Sequence, residues 1–154
     1  MMRFNLKMLA WFLGVLILAM ALAACGGKTA TEEPARPSNP GGTGEAVNLK
    51  GDPVKGAEIF EANCVSCHGE EGKGGVANPG SEDGEVPALN PIDPTLVSQD
   101  AQTFASNIDL FLEHGSTPAG NSPALSMPKF GDDKMLQPQE IADVIAYVIQ
   151  LNQK

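Results

Sequence analysis

Basic charge is scarce in this sequence. Ten lysines and arginines stand against 19 aspartates and glutamates in 154 residues, so the formal net charge at pH 7 is −9. Affinity for nucleic acid depends on cations that neutralise the phosphates, and an excess of acid works against it. We therefore expect no nucleic-acid partner.

Residues that bind metals through sulfur or imidazole are also few, at three cysteines and two histidines. One cluster, Cys64-Val65-Ser66-Cys67-His68, holds two of the cysteines and one histidine. A structural zinc site requires four ligands. Outside this cluster the chain offers only His114 and no second cysteine pair, so we expect no zinc site.

The N-terminus has the pattern of a secretory signal, in which basic residues precede an uncharged apolar run, here from Met8 to Ala24. The run ends in Leu22-Ala23-Ala24-Cys25, which is similar to the lipobox of bacterial lipoproteins. We predict that residues 1–24 are removed and that Cys25 carries the lipid, which would hold the exported protein at the outer face of the cytoplasmic membrane. An uncleaved transmembrane anchor is the alternative, because about 17 apolar residues lie near the lower limit for spanning a bilayer.

Removal of the signal would also remove Arg3 and Lys7 and leave eight basic residues against 19 acidic ones, a formal charge of −11. Opposite charges across an interface steer association. We therefore expect partner proteins to present basic or apolar patches to this surface.

The mature chain divides by composition into two parts. Residues 25–49 are rich in Gly, Pro, Thr and Glu with almost nothing apolar to bury, which predicts a lipidated N-terminus and a flexible tether. Residues 50–154 form a segment of ordinary domain size.

Three helices are predicted in this domain, which indicates an all-α fold. The first begins with Asp52 as N-cap and Pro53 at the first helical position, and runs to the cysteine pair. The second covers about residues 100–113 and stops at Gly115. The third begins near Pro138 and carries one apolar face, formed by Ile141, Val144, Ile145, Val148 and Ile149. A long acidic loop, about residues 70–99, lies between the first two helices and should wrap or bind something.

The pattern Cys64-Val65-Ser66-Cys67-His68 is typical of a covalent attachment site for haem c. Two thiols three positions apart on one helical turn can each add to a vinyl group of the porphyrin, and His68 can then reach the iron. A disulfide is an alternative in an oxidising compartment. A thioredoxin-type redox pair is another, although such pairs lie near a βαβ pattern, which we do not find in this sequence.

Met127 is the candidate for the second axial ligand of the iron, because it stands in a Pro- and Gly-containing segment just before the last predicted helix. A methionine in a loop can instead fill a gap in the core. Met135 is a rival, but no Pro or Gly beside it fixes the chain. His114 is the rival for bis-histidine ligation, and we expect it to be a solvated residue that stabilises the carbonyl end of its helix.

The stretch from Gly51 to Phe60 resembles the first helix of class I cytochromes c, and the Met-Pro-x-Phe-Gly segment at Met127 and the Ile-Ala-Tyr stretch of the last helix are similar to that family. The resemblance implies one covalent haem c with helices packed around it. It also implies a close crossing of the first and last helices, where the matching residues are Gly56, Phe60, Val144 and Tyr147.

The same resemblance implies that the carbonyl of Pro87 fixes the haem histidine and that Leu89 packs on the haem face; an ordinary turn is the alternative for both. The chain departs from the family in two respects. The loop over residues 70–99 is longer and more acidic than in minimal bacterial members, and no tryptophan remains once Trp11 leaves with the signal. The family's contacts to the haem propionates therefore cannot be transferred to this chain.

Ligation by both His68 and Met127 leaves no open coordination position, which predicts one-electron transfer without a small-molecule substrate. A haem-based sensor or small haem enzyme, with an open distal side, is an alternative from another class. A structural tether with a vestigial haem is a third.

The lipoprotein signal followed by a single-haem domain is similar to the mono-haem subunit of alternative complex III, a bacterial quinol-oxidising complex. It is also similar to tethered cytochromes that feed terminal oxidases or photosynthetic reaction centres. We expect redox partner proteins, as fellow subunits of a membrane oxidoreductase, with a free lipid-tethered shuttle as the alternative.

Overall fold

The computed structural model describes residues 41–153. The predicted signal peptide, the Cys25 lipidation site and the tether up to residue 40 lie outside these residues. The described part is helical, as predicted, and within it no helix is long and apolar enough to cross a bilayer. Its four α-helices are α1 (Pro53–Asn63), α2 (Val65–His68), α3 (Ala101–His114) and α4 (Pro138–Leu151), with 3-10 turns at Glu45–Asn48 and Glu70–Gly72.

Helix α1 begins and ends where the sequence predicts. The Val54 N–H donates to Oδ1 of Asp52 at 3.0 Å. Pro53 occupies the first helical position, where a backbone N–H would have no partner within the helix. At the other end the Cys64 N–H bonds to the Phe60 carbonyl at 2.8 Å. The helix therefore ends directly at the first residue of the cysteine pair.

Helices α3 and α4 also match their predicted positions to within about one residue. Asp100 caps α3 by accepting from the Thr103 N–H at 2.8 Å, and the helix ends at Gly115, whose φ of 66° favours glycine. Helix α4 buries the predicted apolar face, except that Ile149 is only half-buried.

The close crossing of α1 and α4 is present. A Cβ at Gly56 would overlap the carbonyl of Asp143, so the two backbones touch at this point. One turn further on, the ring of Phe60 meets that of Tyr147 edge to face, at a centroid separation of 5.3 Å and an interplanar angle of 61°. Phe60 and Val144 are each 1% exposed, so the crossing forms the centre of the core.

The predicted flexible tether is wrong from residue 41 onward, because residues 41–49 pack against the domain. Ala46 is buried in the core, and the Gly44 N–H donates to Oδ2 of Asp109 at 2.7 Å. Nε2 of Gln102 donates a hydrogen bond to the Val47 carbonyl at 2.9 Å. Composition suggested a tether because the segment is poor in apolar residues, but one buried methyl and these hydrogen bonds from α3 connect it to the domain.

We expect Gly56→Ala to lower the free energy of unfolding by about 1–3 kcal/mol, as overpacking typically does. Alanine favours a helix over glycine by roughly 0.5–1 kcal/mol, but here the added methyl overlaps backbone atoms that cannot rotate away. Urea denaturation followed by circular dichroism measures the change.

Gly42→Ala is the matched control, because a Cβ there would meet no atom within 4 Å. Equal stabilities for the two variants would contradict the close crossing.

Candidate haem site

The two thiols and the imidazole of the C-x-x-C-H motif lie on one helical turn. The His68 N–H bonds to the Cys64 carbonyl at 2.8 Å, and the Cys67 N–H to the same carbonyl at 3.1 Å. Residues at positions i, i+3 and i+4 of such a turn share one face. Both sulfurs are unbonded, so both are available for thioethers.

The environment of Cys64 disfavours a thioredoxin-type redox pair. Burial, with a smaller contribution from the neighbouring Cys67, raises the pKa of the Cys64 thiol to about 11. A reactive redox cysteine needs a lowered pKa so that it is a thiolate at neutral pH. Cys64 instead stays a protonated thiol, which fits covalent attachment better than thiol–disulfide exchange.

The imidazole of His68 is held by a backbone carbonyl, as the family resemblance implies. Nδ1 lies 3.0 Å from the carbonyl oxygen of Pro87. A carbonyl only accepts, so Nδ1 carries the proton and Nε2 keeps its lone pair for a metal. The pKa of His68 is lowered, because the effect of burial outweighs the opposite effect of the hydrogen bond to the Pro87 carbonyl. The neutral form that can coordinate iron is therefore favoured.

The segment that carries Pro87 and Leu89 is tied to the rest of the fold through both backbone groups of Leu89. The Leu89 N–H bonds to the Gly72 carbonyl at 2.8 Å, and Nδ2 of Asn152 bonds to the Leu89 carbonyl at 2.8 Å. Leu89 itself is half-buried against the core. Sequence reasoning missed Asn152, whose place just after α4 indicates a helix cap but not the loop that it holds.

Met127 is fixed through its backbone to the end of α3. Its N–H bonds to the Ser116 carbonyl at 2.8 Å, and its carbonyl accepts from the Ser116 N–H at 3.2 Å, an isolated antiparallel bridge. The thioether side chain is half-buried and packs against the core. The rival Met135 is 55% exposed. Burial therefore favours Met127 of the two.

The prediction of a solvated His114 is wrong, because this residue is only 9% exposed. Nδ1 lies 3.0 Å from Oδ2 of Asp132, and Nε2 lies 2.8 Å from the Gly42 carbonyl. Both partners are acceptors, so the ring must donate from both nitrogens and no lone pair is left for a metal. The Asp132 carboxylate raises the pKa of His114, the Gly42 carbonyl adds to this, and burial opposes both.

These residues fit a covalently attached haem. Two free thiols and an imidazole with a free Nε2 would provide the attachment and a ligand for the iron, and a half-buried thioether would provide a soft ligand of the kind that raises a haem potential. Cys64, Cys67, His68 and Met127 would hold the group, with Pro87 and Leu89 beside it.

The family model described as cytochrome c matches residues 53–152. The chain belongs to the cytochrome c family. A cytochrome c domain carries haem c bound covalently, and the length of this one accommodates a single haem. It is an electron-transfer domain and not a catalytic one.

Several curated proteins are similar to this cytochrome c. The cbb3-type cytochrome c oxidase subunit CcoP of Cereibacter sphaeroides is 30% identical over 99 residues, which is 63% of this chain and 30% of that protein. The cytochrome bc1 complex cytochrome c subunit of Corynebacterium diphtheriae is 30% identical over 97 residues, 63% of this chain and 26% of that protein.

The fructose dehydrogenase cytochrome subunit of Gluconobacter japonicus is 31% identical over 97 residues, 61% of this chain and 18% of that protein. The match therefore spans less than a third of each of these relatives. No solved structure shows a significant match.

The raised pKa of His114 predicts a pH-dependent contribution to stability. A group whose pKa is higher in the folded state stabilises the fold fully below its unfolded pKa, about 6.5 for histidine, and loses this effect as the pH rises through the folded pKa. The difference in unfolding free energy between the wild type and His114→Gln should therefore be largest near pH 6 and fall in alkaline buffer. Urea titrations across this range measure it, and a difference that does not vary with pH would contradict the assignment.

Proposed function

We propose that this cytochrome c is a one-electron carrier in which His68 and Met127 are the axial ligands of a single haem. The observation that carries the proposal is the hydrogen bond between Nδ1 of His68 and the Pro87 carbonyl, because it leaves Nε2 free on the turn that carries both thiols. When bound, the haem supplies the Fe(II)/Fe(III) couple.

The residues of the chain would then close the site to ligand chemistry. Ligation by both His68 and Met127 leaves no position for a substrate, so the electron moves without bond making at the iron. Met127 and Leu89 pack against the same rigid core, which limits movement when the iron changes charge. The domain is therefore suited to outer-sphere transfer.

The names of the relatives favour a subunit of a membrane oxidoreductase as the setting. The three relatives are named as subunits of a cbb3-type cytochrome c oxidase, of a cytochrome bc1 complex and of a fructose dehydrogenase. We propose that this chain likewise receives and passes electrons within a quinol-oxidising respiratory or photosynthetic complex, for which alternative complex III is our specific candidate. A free shuttle to an oxidase or reaction centre is the second candidate, supported by the lipobox alone.

The proposed location is the outer face of the cytoplasmic membrane, on the periplasmic side where an outer membrane exists. Lipid on Cys25 would keep the domain there, since two acyl chains together anchor a protein stably. The formal charge of −11 after signal removal favours redox partners with basic or apolar docking patches.

Ligand substitution tests the closed iron site. We expect Met127→Ala to make the reduced protein bind carbon monoxide rapidly and to lower its reduction potential, because a thioether ligand raises the potential of haem. Met135→Ala is the control, since that side chain is largely exposed, and should leave both properties unchanged. Rapid binding of carbon monoxide by the unmodified protein would refute the closed site and favour a haem-based sensor.

Isolation from native membranes tests whether the protein is a subunit of a complex or a free shuttle. Solubilised in mild detergent, the wild-type protein should co-purify with other redox subunits, whereas a haem protein that purifies without other subunits would support the free shuttle.

Cys25→Ser tests the anchor separately. We expect this variant to lose its lipid, with the loss measured by mass spectrometry of the N-terminal peptide, and to leave the membrane fraction unless other subunits retain it. Membrane association in the absence of both lipid and partners would favour the uncleaved apolar anchor.

A further inference from the structure

The long loop between the first two predicted helices, about residues 70–99, folds back on itself between residues 76 and 86. The Asn78 N–H bonds to the Gly84 carbonyl at 2.8 Å, and the Val86 N–H bonds to the Val76 carbonyl at 2.8 Å. An isolated bridge joins Ala77 to Glu85. Residues 76–86 are therefore a closed unit, which we call the acidic loop.

The acidic loop lies against residues 116–127, which we call the ligand loop because it ends at Met127. The Glu82 N–H bonds to the Ala119 carbonyl at 2.7 Å, and the Ala124 N–H bonds to the Pro79 carbonyl at 3.1 Å. A Cβ at Gly80 would overlap the Ser122 carbonyl. The two backbones are thus in direct contact.

The contact between the two loops that lies closest in sequence before Met127 is made by the side chain of Asn78. This residue is fully buried, at 0% exposure. Its Nδ2 donates to the Leu125 carbonyl at 3.0 Å, and its Oδ1 accepts from the Leu125 N–H at 2.8 Å. The side-chain amide thereby pairs with both backbone groups of Leu125, as a neighbouring strand would.

We propose that Asn78 is a positioning residue for the axial ligand Met127. The inference rests on the proposed function in one respect, that Met127 binds the iron. Leu125 lies two positions before this ligand, with only Ser126 between them, and Met127 itself pairs with Ser116. The backbone is therefore held both at the ligand and just before it.

The physical reason is the entropy of the ligand loop. Residues 116–127 contain no helix and only the single bridge at Met127, so bonds within the loop do little to order it. A loop that is ordered beforehand loses less freedom when its side chain binds, which increases the fraction of the bound form. Asn78 would supply this order from a residue that lies 49 positions before the ligand.

The test compares Asn78→Ala with the wild type as haem-loaded proteins. We expect the variant to keep its covalent haem, to lose intensity in the thioether-to-Fe(III) charge-transfer band and to bind carbon monoxide about tenfold faster when reduced, because the open form gains population. Asn107→Ala is the matched control, since Nδ2 of Asn107 also holds a loop carbonyl, that of Leu96 at 2.9 Å, in another part of the fold. Equal effects of the two variants on the band and on the rate would overturn the proposal.

Asn78→Asp adds a readout that a merely structural role would not produce. A carboxylate can still accept from the Leu125 N–H but faces the Leu125 carbonyl with a second acceptor, whereas a protonated carboxyl can donate to it. The charge-transfer band of this variant should therefore be weak at neutral pH and recover as the pH falls. A band that stays at wild-type strength throughout would overturn the proposal.

Amide exchange on the unmodified protein covers the case in which neither variant folds. The side chain of Leu125 is 36% exposed, yet its N–H bonds to a buried amide, so we expect that N–H to exchange slowly. Exchange at the rate of an unstructured peptide would overturn the inference.

Met127→Ala, measured in parallel, separates this inference from the proposed function. Loss of the band in Met127→Ala but not in the Asn78 variants would overturn the positioning role alone. No change in Met127→Ala would overturn the ligand assignment, and the positioning role with it.

Discussion

The contact between α1 and α4 at Gly56 is the constraint on which the other features of the domain depend. Because the two backbones touch there, the rings of Phe60 and Tyr147 meet one turn later and the core closes around them. Helix α1 then ends at the cysteine pair, so its placement also determines where the attachment turn lies. A shift of α1 along α4 would move the thiols and the imidazole together.

The candidate site is otherwise built from loops, and side-chain amides hold these loops in place. Asn152, at the end of α4, bonds to the Leu89 carbonyl beyond Pro87, and Asn78 pairs with the backbone of Leu125 before Met127. A buried amide can satisfy a carbonyl and an N–H at once, so one residue replaces a strand. Within residues 41–153 these amides thereby order the two loops without a sheet.

Much of this arrangement could be predicted because its signals are local. Asp52, Pro53 and Gly115 mark helix ends through bonds and dihedral angles within a few residues, and the thiols and the imidazole share a face because of their spacing. The Pro87 hydrogen bond was implied by family resemblance rather than by any local pattern. Burial of His114 could not be predicted in this way, since it depends on residues 41–44, which lie far from it in the sequence.

The sequence by itself determined the helices, the attachment turn and the acidic character of the chain, because caps, apolar periodicity and charge act over short distances. Only the tertiary structure decided that residues 41–49 belong to the domain, that His114 has no free nitrogen and that Asn78 faces Leu125. Each of these depends on chain segments that meet only after folding, through hydrogen bonds that no periodicity encodes. The sequence showed the acidic composition of residues 70–99. Folding places part of that segment, the acidic loop, against the ligand loop as a support.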